Sequence, residues 1–281
     1  MGDDLESRVK DDFSHARFKA FLNGIQAAIT GKPDTLLSYD EVKEKLHLSG
    51  PIYRGVQAVP VAKIAGSLNR YHQFDRAFMP KQSETAGRWQ RVDRAFYQDI
   101  SLPPVVLYKV GEVYFVVDGH HRVSVAREQH REFVDAEVRE CSTKINITPD
   151  LKPEDLEILS EKVEFLERTG LDRIRPKASI KLTIPDGFSR MLEHIAVHRY
   201  FMGLDLKRSI FEEEAVVHWY DAVYLPIVRV IRASDILMDF PGKTEGDLYL
   251  WVLDHQRYLS ETGHELQPPD EAARDFVLGV E

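Results

Sequence analysis

Residues 113–122 read Val-Tyr-Phe-Val-Val-Asp-Gly-His-His-Arg, so that five apolar residues come directly before an Asp-Gly turn and a basic cluster. A short apolar run of this kind is typical of a buried strand. The residues that follow place Val123, Val125 and Ala126 at positions that suit a helix packed on a sheet, extending from His120 to about His130. The sequence therefore predicts a strand that turns at Asp118 and Gly119 directly into a helix.

This predicted turn has the chemistry of an anion site. A helix start exposes backbone N–H groups that have no partner inside the helix, and together with the positive end of the helix dipole they bind phosphate. Gly119 accepts unusual dihedral angles and lets an oxygen approach the backbone. Arg122 adds a planar fork of donors, and His120 and His121 add donors or a proton shuttle near neutral pH. We therefore predict phosphate binding by Asp118, Gly119, His120, His121 and Arg122.

The segments around this turn predict a small mixed sheet with helices. Strands are expected at residues 55–61, 104–108 and 133–138, and a hairpin around Gly111 joins the second of them to the strand at 113–117. The pattern indicates an α+β module.

The stretch from about Val59 to Val138 resembles the N-terminal domain of ParB proteins and, more broadly, the ParB/sulfiredoxin superfamily. The resemblance rests on Val-Pro-Val-x-x-Ile, which begins at Val59, and on the run Leu-Pro-Pro-Val-Val-Leu-Tyr-Lys-Val-Gly-Glu-Val-Tyr-Phe-Val-Val-Asp-Gly-His-His-Arg-Val-Ser-Val-Ala-Arg-Glu at 102–128. At the corresponding turn ParB proteins bind CTP and sulfiredoxins bind ATP, and ADP-dependent free serine kinases carry a similar Asp-Gly-His-His-Arg motif. The resemblance implies a ParB/sulfiredoxin-like core in which Gly119, His121 and Arg122 contact phosphate.

The sequence also departs from these relatives. His120 stands where sulfiredoxins have their reactive cysteine and where ParB proteins have a glutamate, so neither sulfinic acid reduction nor a CTP switch is implied. The serine kinases use a glutamate soon after the first strand, whereas this chain has Gly-Ser-Leu-Asn-Arg at 66–70. The resemblance thus supports fold and phosphate binding rather than a reaction.

A long polar connection, from Ser67 to Asp99, is predicted to hold one or two helices and to fold over the turn. Its cations would neutralise the remaining phosphates of a ligand, and we assign Arg70 and Arg76 to the site on this ground. In the alternative, its cations, which include His72, Lys81, Arg88, Arg91 and Arg94, pair with Asp75, Glu84 and Asp93 as a solvated loop. Asp75, Asp93 and Asp99 are also candidate general bases, with simple solvation as the alternative.

Three regions are expected: an N-terminal helical arm at 1–50, the ParB/sulfiredoxin-like domain at 51–142 and a mostly helical α+β domain at 143–281. In the arm, spacings of three and four predict a helix from Leu5 to Thr30, and the S-x-x-E box at Ser38–Glu41 opens a second helix that reaches about Leu48. The arm is either a packing element or a recognition element.

The last region predicts helices at 150–169, 188–201, 209–233 and 245–262, with a kink at Pro226, and a strand at 180–184. Its runs His-Trp-Tyr-Asp-Ala-Val-Tyr-Leu-Pro at 218–226 and Phe-Pro-Gly-Lys-Thr-Glu-Gly-Asp-Leu-Tyr-Leu-Trp at 240–251 resemble an uncharacterised bacterial domain family, which implies no activity. The segment at 240–244 is half a P-loop without its first glycine, so Thr244 is expected to cap the helix that follows.

Two further patterns in this region favour structural roles. His194 and His198 would place two imidazoles one helical turn apart, but Ile195 stands where zinc peptidases have glutamate, so no metal is expected. The aromatic residues at helical spacings are expected in the core or between domains; they are Trp219, Tyr220, Tyr224, Tyr249 and Trp251.

The composition of the chain limits the classes of function that it can have. The 281 residues carry a net charge of −9 and one cysteine, Cys141, which excludes a disulfide within the chain. The charge gives no general attraction for nucleic acid. Because the charged N-terminus does not read as a signal peptide and no apolar run is long enough to span a bilayer, we expect a cytoplasmic protein without a membrane partner.

These observations favour a bacterial nucleotide- or phosphate-binding protein, potentially regulatory, whose ligand is a nucleotide, with or without magnesium, or another phosphorylated small molecule. Two alternatives stay open. The same core could act as a nucleotide-dependent small-molecule kinase or a ParB-type nuclease, or it could belong to a DNA-binding transcriptional or partition-type regulator. DNA is the less favoured partner.

Overall fold

The structure, a computed structural model, describes residues 2–31, 33–261 and 267–280. The prediction of an α+β protein is confirmed. The chain divides after Leu156 into two compact units. The first contains a long N-terminal helix and a six-stranded mixed sheet, and the second is mostly helical. Whether the arm and the sheet module are separate domains stays a prediction.

In the first unit, the helices and strands follow one another along the chain as α1 (Gly2–Thr30), β1 (Leu37–Ser38), α2 (Tyr39–Lys45), β2 (Ile52–Pro60), β3 (Ile64–Ser67), α3 (Ala86–Tyr97), β4 (Val105–Val110), β5 (Val113–Asp118), α4 (His120–Glu128) and β6 (Phe133–Cys141). The helix of the predicted capping box is present, since the Ser38 side chain accepts the Glu41 amide, although α2 ends at Lys45 rather than near Leu48.

The strands lie in the order β1-β3-β5-β4-β6-β2. β5 pairs with β4 as the predicted antiparallel hairpin and with β3 in parallel, while β4 and β6 are parallel and β6 and β2 antiparallel. Because β5 lies inside the sheet, Val113 to Val116 are buried on both faces, which explains their continuous apolar run. The strand therefore delivers Asp118 and Gly119 to an edge of the core.

Sequence patterns did not separate β2 from β3. The chain leaves β2 at Pro60, makes a short 3₁₀ turn at Val61–Lys63, and enters β3 on the opposite side of β5. β3 is fully buried, and a Cβ on its Gly66 would lie 2.2 Å from Phe115 Cδ1 and 2.8 Å from the Leu37 carbonyl oxygen. Only glycine fits where neighbouring strands lie this close together. Gly66 is therefore required at the point where the chain has crossed to the opposite side of β5.

Three helices stack beside the sheet. Phe13 and Ala16 of α1, Trp89 of α3 and Val125 of α4 share one apolar cluster, and the Phe13 and Trp89 rings lie 5.5 Å apart. Trp89 Nε1 donates to Ser124 Oγ at 2.9 Å, which satisfies the buried indole. The cluster fixes α3 against α4, and α3 thereby carries its exposed side chains to the start of α4.

The second unit takes in most of α5 (Asp155–Thr169) and all of α6 (Leu171–Ile174), α7 (Gly187–Leu206), α8 (Glu212–Trp219), a π-helical segment (Tyr220–Tyr224), α9 (Leu225–Ala233), α10 (Glu245–Glu261) and α11 (Pro269–Val280). α5 begins five residues later than predicted. The predicted end of α10 at Thr262 lies outside the described residues. α11 was not predicted.

The predicted strand at residues 180–184 is wrong. Ile180 and Leu182 are buried, as a strand would place them, but no neighbouring strand is present among the described residues of this unit. The backbone is instead satisfied by α10: the Thr183 amide donates to Asp247 Oδ1 at 2.8 Å, and the Thr244 hydroxyl donates to the Lys181 carbonyl at 2.6 Å. Thr244 also caps α10, as predicted, because its Oγ1 accepts the Asp247 amide.

The expected disturbance at Pro226 takes a specific form. Pro226 falls in the first turn of α9, directly after the five-residue π-helical segment Tyr220–Tyr224. Proline cannot donate a backbone hydrogen bond, and a π turn is a common way for a helix to accommodate such a loss. The segment also turns Tyr224 into the core, where its ring lies 5.5 Å from Trp219 and 5.0 Å from Tyr249.

The aromatic residues at helical spacings largely form the core, as predicted. Trp219, Tyr220, Tyr224 and Tyr249 are buried, and Trp251 is half-buried against the same cluster. Within the described part of the chain, no helix has the length and apolar content required to cross a membrane.

Asp247 is the buried polar anchor of the second unit, so its removal should be destabilising. Asp247→Ala leaves the amides of Thr183 and Thr244 without their acceptor, and we expect a loss of about 3 kcal/mol in the free energy of unfolding, measured by urea titration. The control Asp254→Ala removes an exposed ion pair with Arg190 and should cost less than about 1 kcal/mol. Equal losses in the two variants would contradict this role of Asp247.

Candidate functional site

The turn between β5 and α4 has the geometry of a helix-start anion site. Gly119 has φ 98° and ψ 22°, and a Cβ at this position would lie 2.6 Å from Val105 Cγ1. The first bond of the helix runs from the Val123 amide to the Gly119 carbonyl at 3.0 Å. Among the described residues, the amides of 120–122 have no backbone acceptor, so they are free to receive an anion.

Arg122 is engaged by the protein itself. Its Nη2 lies 2.6 Å from Asp118 Oδ2, and its Nη1 donates to the carbonyl of Pro104 at 2.9 Å and to that of Pro103. The guanidinium therefore ties the end of β5 and the loop before β4 to the start of α4. The sequence predicted that Arg122 would bind phosphate. In this geometry, its guanidinium instead holds the loop before β4 and the end of β5 beside the helix start.

His120 points into the core. It is 5% exposed, its Nε2 lies 2.8 Å from Ser67 Oγ, and its ring stacks on Phe74 at 6.0 Å. Burial, then the charge of Arg70, lowers the pKa of His120 to about 4. The ring is thus neutral at pH 7, and its bond to Ser67 connects α4 to the end of β3.

His121 differs because neither of its ring nitrogens has a hydrogen-bond partner, although both are shielded from solvent. The edge of its ring meets Phe74 with the centroids 5.5 Å apart. Burial lowers its pKa to about 4, and the charges of Arg70 and Arg88 act in the same direction. A buried polar side chain without a protein partner is rare, so His121 is a candidate for ligand contact.

These groups line one cleft of 400 Å³, which we call the arginine cleft. Its walls come from the loop after β3, from α3, from the loop before β4 and from the start of α4. Its lining residues are Arg70, Arg88, Arg91, Val92, Leu102, Asp118, Gly119, His120, His121 and Arg122. Within the described part of the chain, no carboxylate pairs with the side chains of Arg70, Arg88 or Arg91, so three uncompensated positive charges surround the helix start.

The structure brings together the predicted turn and Arg70, but it does not bring Arg76 to the same cleft. Arg76 Nη2 donates to the carbonyls of Pro149 at 3.0 Å and Leu151 at 2.5 Å, and the side chain lines a separate cavity beside α1. Burial lowers its pKa. Arg76 thus holds the segment after β6 to the long connection. Arg76 was assigned to the site from the sequence as a cation of the long connection that was predicted to fold over the turn.

Arg88 and Arg91 were named only as members of a positive stretch, not as site residues. Because Arg88 and Arg91 are three residues apart, both lie on one face of α3. This face is next to the one that buries Trp89. That spacing was visible in the sequence. What the sequence lacked was the packing of α3 on α4, which decides the cleft that this face borders.

Two predicted loop acids are not solvated. Asp75 is buried and accepts bonds from Asn23 Nδ2 and the Met79 amide, both at 2.7 Å. Asp93 is buried and accepts from Gln129 Nε2, and burial raises its pKa to about 6. Both carboxylates support the long connection from inside and lie outside the lining of the arginine cleft.

A second cleft of 330 Å³ adjoins the first, since Leu102 and Arg122 line both. We call it the apolar cleft. Ile100 and Phe133, each 54% exposed, give it an apolar surface, and Asp99 and Asp135 place carboxylates at it. The exposed surface of this cleft is mixed, because Arg122 and Arg131 line it as well. Apolar side chains beside convergent polar groups are typical of sites that bind rings of small molecules.

The histidines of the second unit have other partners. His194 Nδ1 lies 3.3 Å from the Tyr249 hydroxyl, and His198 Nε2 lies 2.8 Å from His218 Nδ1. No group of three or more potential metal ligands occurs in the described ranges. Cys141 is buried at the end of β6 with its sulfur 3.2 Å from the Tyr39 hydroxyl, outside both clefts.

Comparison of the chain with protein-family models and with curated protein sequences found no match.

The low pKa of His120 has a consequence for stability. A histidine whose pKa is about 4 when folded and about 6.5 when unfolded contributes stability that is present above pH 6.5 and lost as the pH falls toward 4. From pH 7 to pH 5 this loss should reach about 2 kcal/mol for His120 alone.

His120→Gln should therefore lose less stability than the wild type between these two pH values, whatever the substitution itself costs at pH 7. Urea unfolding at both pH values measures the difference. The same loss in both proteins would show that His120 is not held neutral by burial.

Proposed function

We propose that the first unit binds the phosphate groups of a nucleotide in the arginine cleft. The observation that carries the proposal is the meeting of Arg70, Arg88 and Arg91, all without acidic partners, at a helix start with free amides. Guanidinium groups and helix-start amides both favour phosphate oxygens, and here they face the same space. The neutral ring of His121 adds one N–H donor, and neither of its ring nitrogens has a partner in the protein.

The charge distribution supports a ligand rather than a solvated surface. The chain as a whole carries a charge of −9, and its exposed arginines elsewhere commonly pair with carboxylates, as Arg94 does with Glu6 and Arg54 with Glu140. Three unpaired arginines at one cleft repel one another, and, in addition to burial, the charges of Arg70 and Arg88 oppose protonation of the nearby histidines. A polyphosphate anion would relieve both effects.

The apolar cleft favours a nucleotide over a bare phosphate. It continues from the arginine cleft past Leu102 and Arg122, so a ligand with its phosphates at α4 could extend a ring toward Phe133. Aromatic and aliphatic side chains stack on nucleobases, and the carboxylates of Asp99 and Asp135 can accept hydrogen bonds from amino or hydroxyl groups. The resemblance to ParB and sulfiredoxin domains, which bind nucleotides at the corresponding turn, agrees with this assignment.

The first test separates the cleft arginines from another arginine of the same helix. Arg88→Gln and Arg91→Gln should each weaken binding of nucleoside di- and triphosphates about 10-fold to 100-fold, because each removes a charge-assisted contact. Isothermal titration with and without magnesium measures the affinity. The control is Arg94→Gln, which loses the same charge from α3 but pairs with Glu6 outside the cleft.

If Arg94→Gln weakens binding as much as the two cleft variants, the effect is one of net charge and the cleft assignment is wrong. If the wild type binds none of these nucleotides at millimolar concentration, the proposed function itself is wrong.

The second test asks whether a base occupies the apolar cleft. Phe133→Ser should lower the affinity for nucleoside diphosphates about 10-fold, since stacking of a base on an aromatic ring contributes about 1–3 kcal/mol, and should leave pyrophosphate binding unchanged. Tyr53→Ser, at a similarly exposed position on β2, is the control. An equal loss for both ligands would point to a disturbed fold, and no loss for either would place the base elsewhere.

A further inference from the structure

Helix α1 exposes an apolar stripe that no described residue of the first unit covers. One face of the helix is buried in the first unit through Val9, Phe13, Ala16 and Ala20. The opposite face of its last three turns carries five large apolar side chains that are 44% to 79% exposed: Phe18, Phe21, Leu22, Ile25 and Ile29. We call these five residues the α1 stripe.

The stripe is larger than a solitary protein usually exposes. A fully exposed phenylalanine offers about 200 Å² and the aliphatic side chains nearly as much, so the stripe presents roughly 500 Å² of apolar surface. It is also free of charge, because Lys19 is the only charged residue between Phe18 and Gly31 that the structure describes. Together with the polar rim beside it, a patch of this size approaches the roughly 800 Å² per partner of a stable protein interface.

The spacing within the stripe matches the contact line of paired helices. Phe18, Leu22, Ile25 and Ile29 follow one another at intervals of four, three and four residues, which is the pattern of the apolar positions in a coiled coil. The pattern reads the same in both directions about its centre. A second copy of the helix, turned by a two-fold axis between Leu22 and Ile25, therefore places Phe18 against Ile29 and Leu22 against Ile25.

The charges on the same face decide the direction of pairing. About two and four turns before Phe18, this face of α1 carries the exposed acids Asp11 and Asp4. In a parallel pair these acids would lie opposite their own copies and repel. In the antiparallel pair they extend beyond Thr30, the end of the partner's helix, and face no copy of themselves.

We propose that the α1 stripe is a homodimer interface in which two copies of the chain pair antiparallel through residues 18–29. The charge of −9, together with the lack of any charged residue other than Lys19 between Phe18 and Gly31 in the described chain, disfavours the anionic surface of a membrane as the occupant. This inference does not rest on the proposed nucleotide function, since the stripe contains none of the residues that line the arginine cleft or the apolar cleft.

Sedimentation velocity over a range of concentrations tests the interface. The wild type should sediment as a dimer, and Leu22→Glu should raise the dissociation constant at least about 100-fold, because each dimer would bury two unpaired carboxylates. Met238→Glu, at an 83% exposed position of the second unit, is the matched control and should remain a dimer. A monomeric wild type at about 100 µM, or a Leu22→Glu protein that remains dimeric, would overturn the proposal.

Cysteine cross-linking tests the direction of pairing. Copies carrying Leu22→Cys mixed with copies carrying Ile25→Cys should form a mixed disulfide dimer under mild oxidation, whereas either variant alone should form much less. Cys141 is buried and can stay in place. Efficient cross-linking of Leu22→Cys with itself, but not with Ile25→Cys, would indicate parallel helices and overturn the antiparallel arrangement.

Discussion

The guanidinium of Arg122 is the contact on which the candidate site depends. It joins three pieces of chain that meet at the end of β5: the Asp118 carboxylate, the start of α4 and the carbonyls of Pro103 and Pro104. These bonds, together with the packing of Val105 against Gly119, hold the loop before β4 beside the helix start. That loop contributes Leu102, which lines both clefts. One side chain thus sets the distance between the anion site and the apolar surface beside it.

The sheet order explains why the histidines differ from each other. Since β3 lies directly beside β5, Ser67 at the end of β3 is next to the start of α4 and can bond His120. This hydrogen bond gives the His120 ring a partner, and the ring is buried in the core. His121, one residue later, is turned by about 100° around the helix; its ring also contacts Phe74, in an edge arrangement rather than stacked, and neither of its ring nitrogens has a partner. The fold therefore places the unpartnered His121 ring in the wall of the arginine cleft, beside the space that a ligand would occupy.

Local signals predicted most of the elements. The apolar run of β5, the hairpin at Gly111, the capping box at Ser38 and the cap at Thr244 each depend on residues close in sequence, and each is present. The prediction of a strand at 180–184 was wrong because alternating buried residues are equally typical of an extended, unpaired segment that packs on a helical core. Only the partner, here Asp247 of α10, distinguishes the two, and the partner is 64 residues away.

The site was predicted in part for the same reason. Asp118 to Arg122 form a contiguous motif, and the structure places them at one turn. The choice among the arginines of the long connection needed the tertiary fold, because Arg76 and Arg88 are equally basic and lie on either side of a buried segment. Packing of Trp89 against α4 brings Arg88 to the cleft, whereas burial of Asp75 turns Arg76 toward the segment after β6. Both arginines carry the same charge, and buried contacts decide their positions. Charge alone therefore could not predict which of the two lines the cleft.

Under the proposed function, the arginines and His121 are linked through their charges. Burial, and after it the positive charges of Arg70 and Arg88, lower the pKa of His121 to about 4 and keep the ring neutral in the free protein. A bound phosphate would offset the arginine charges and so raise the pKa of His121, while the larger effect of burial remains. Any protonated fraction of the ring would offer two donors to the ligand instead of one. By linkage, the proton and the phosphate strengthen each other's binding. Under the proposed function, the site therefore combines arginines that attract the anion at any physiological pH with a histidine whose pKa a bound anion would raise.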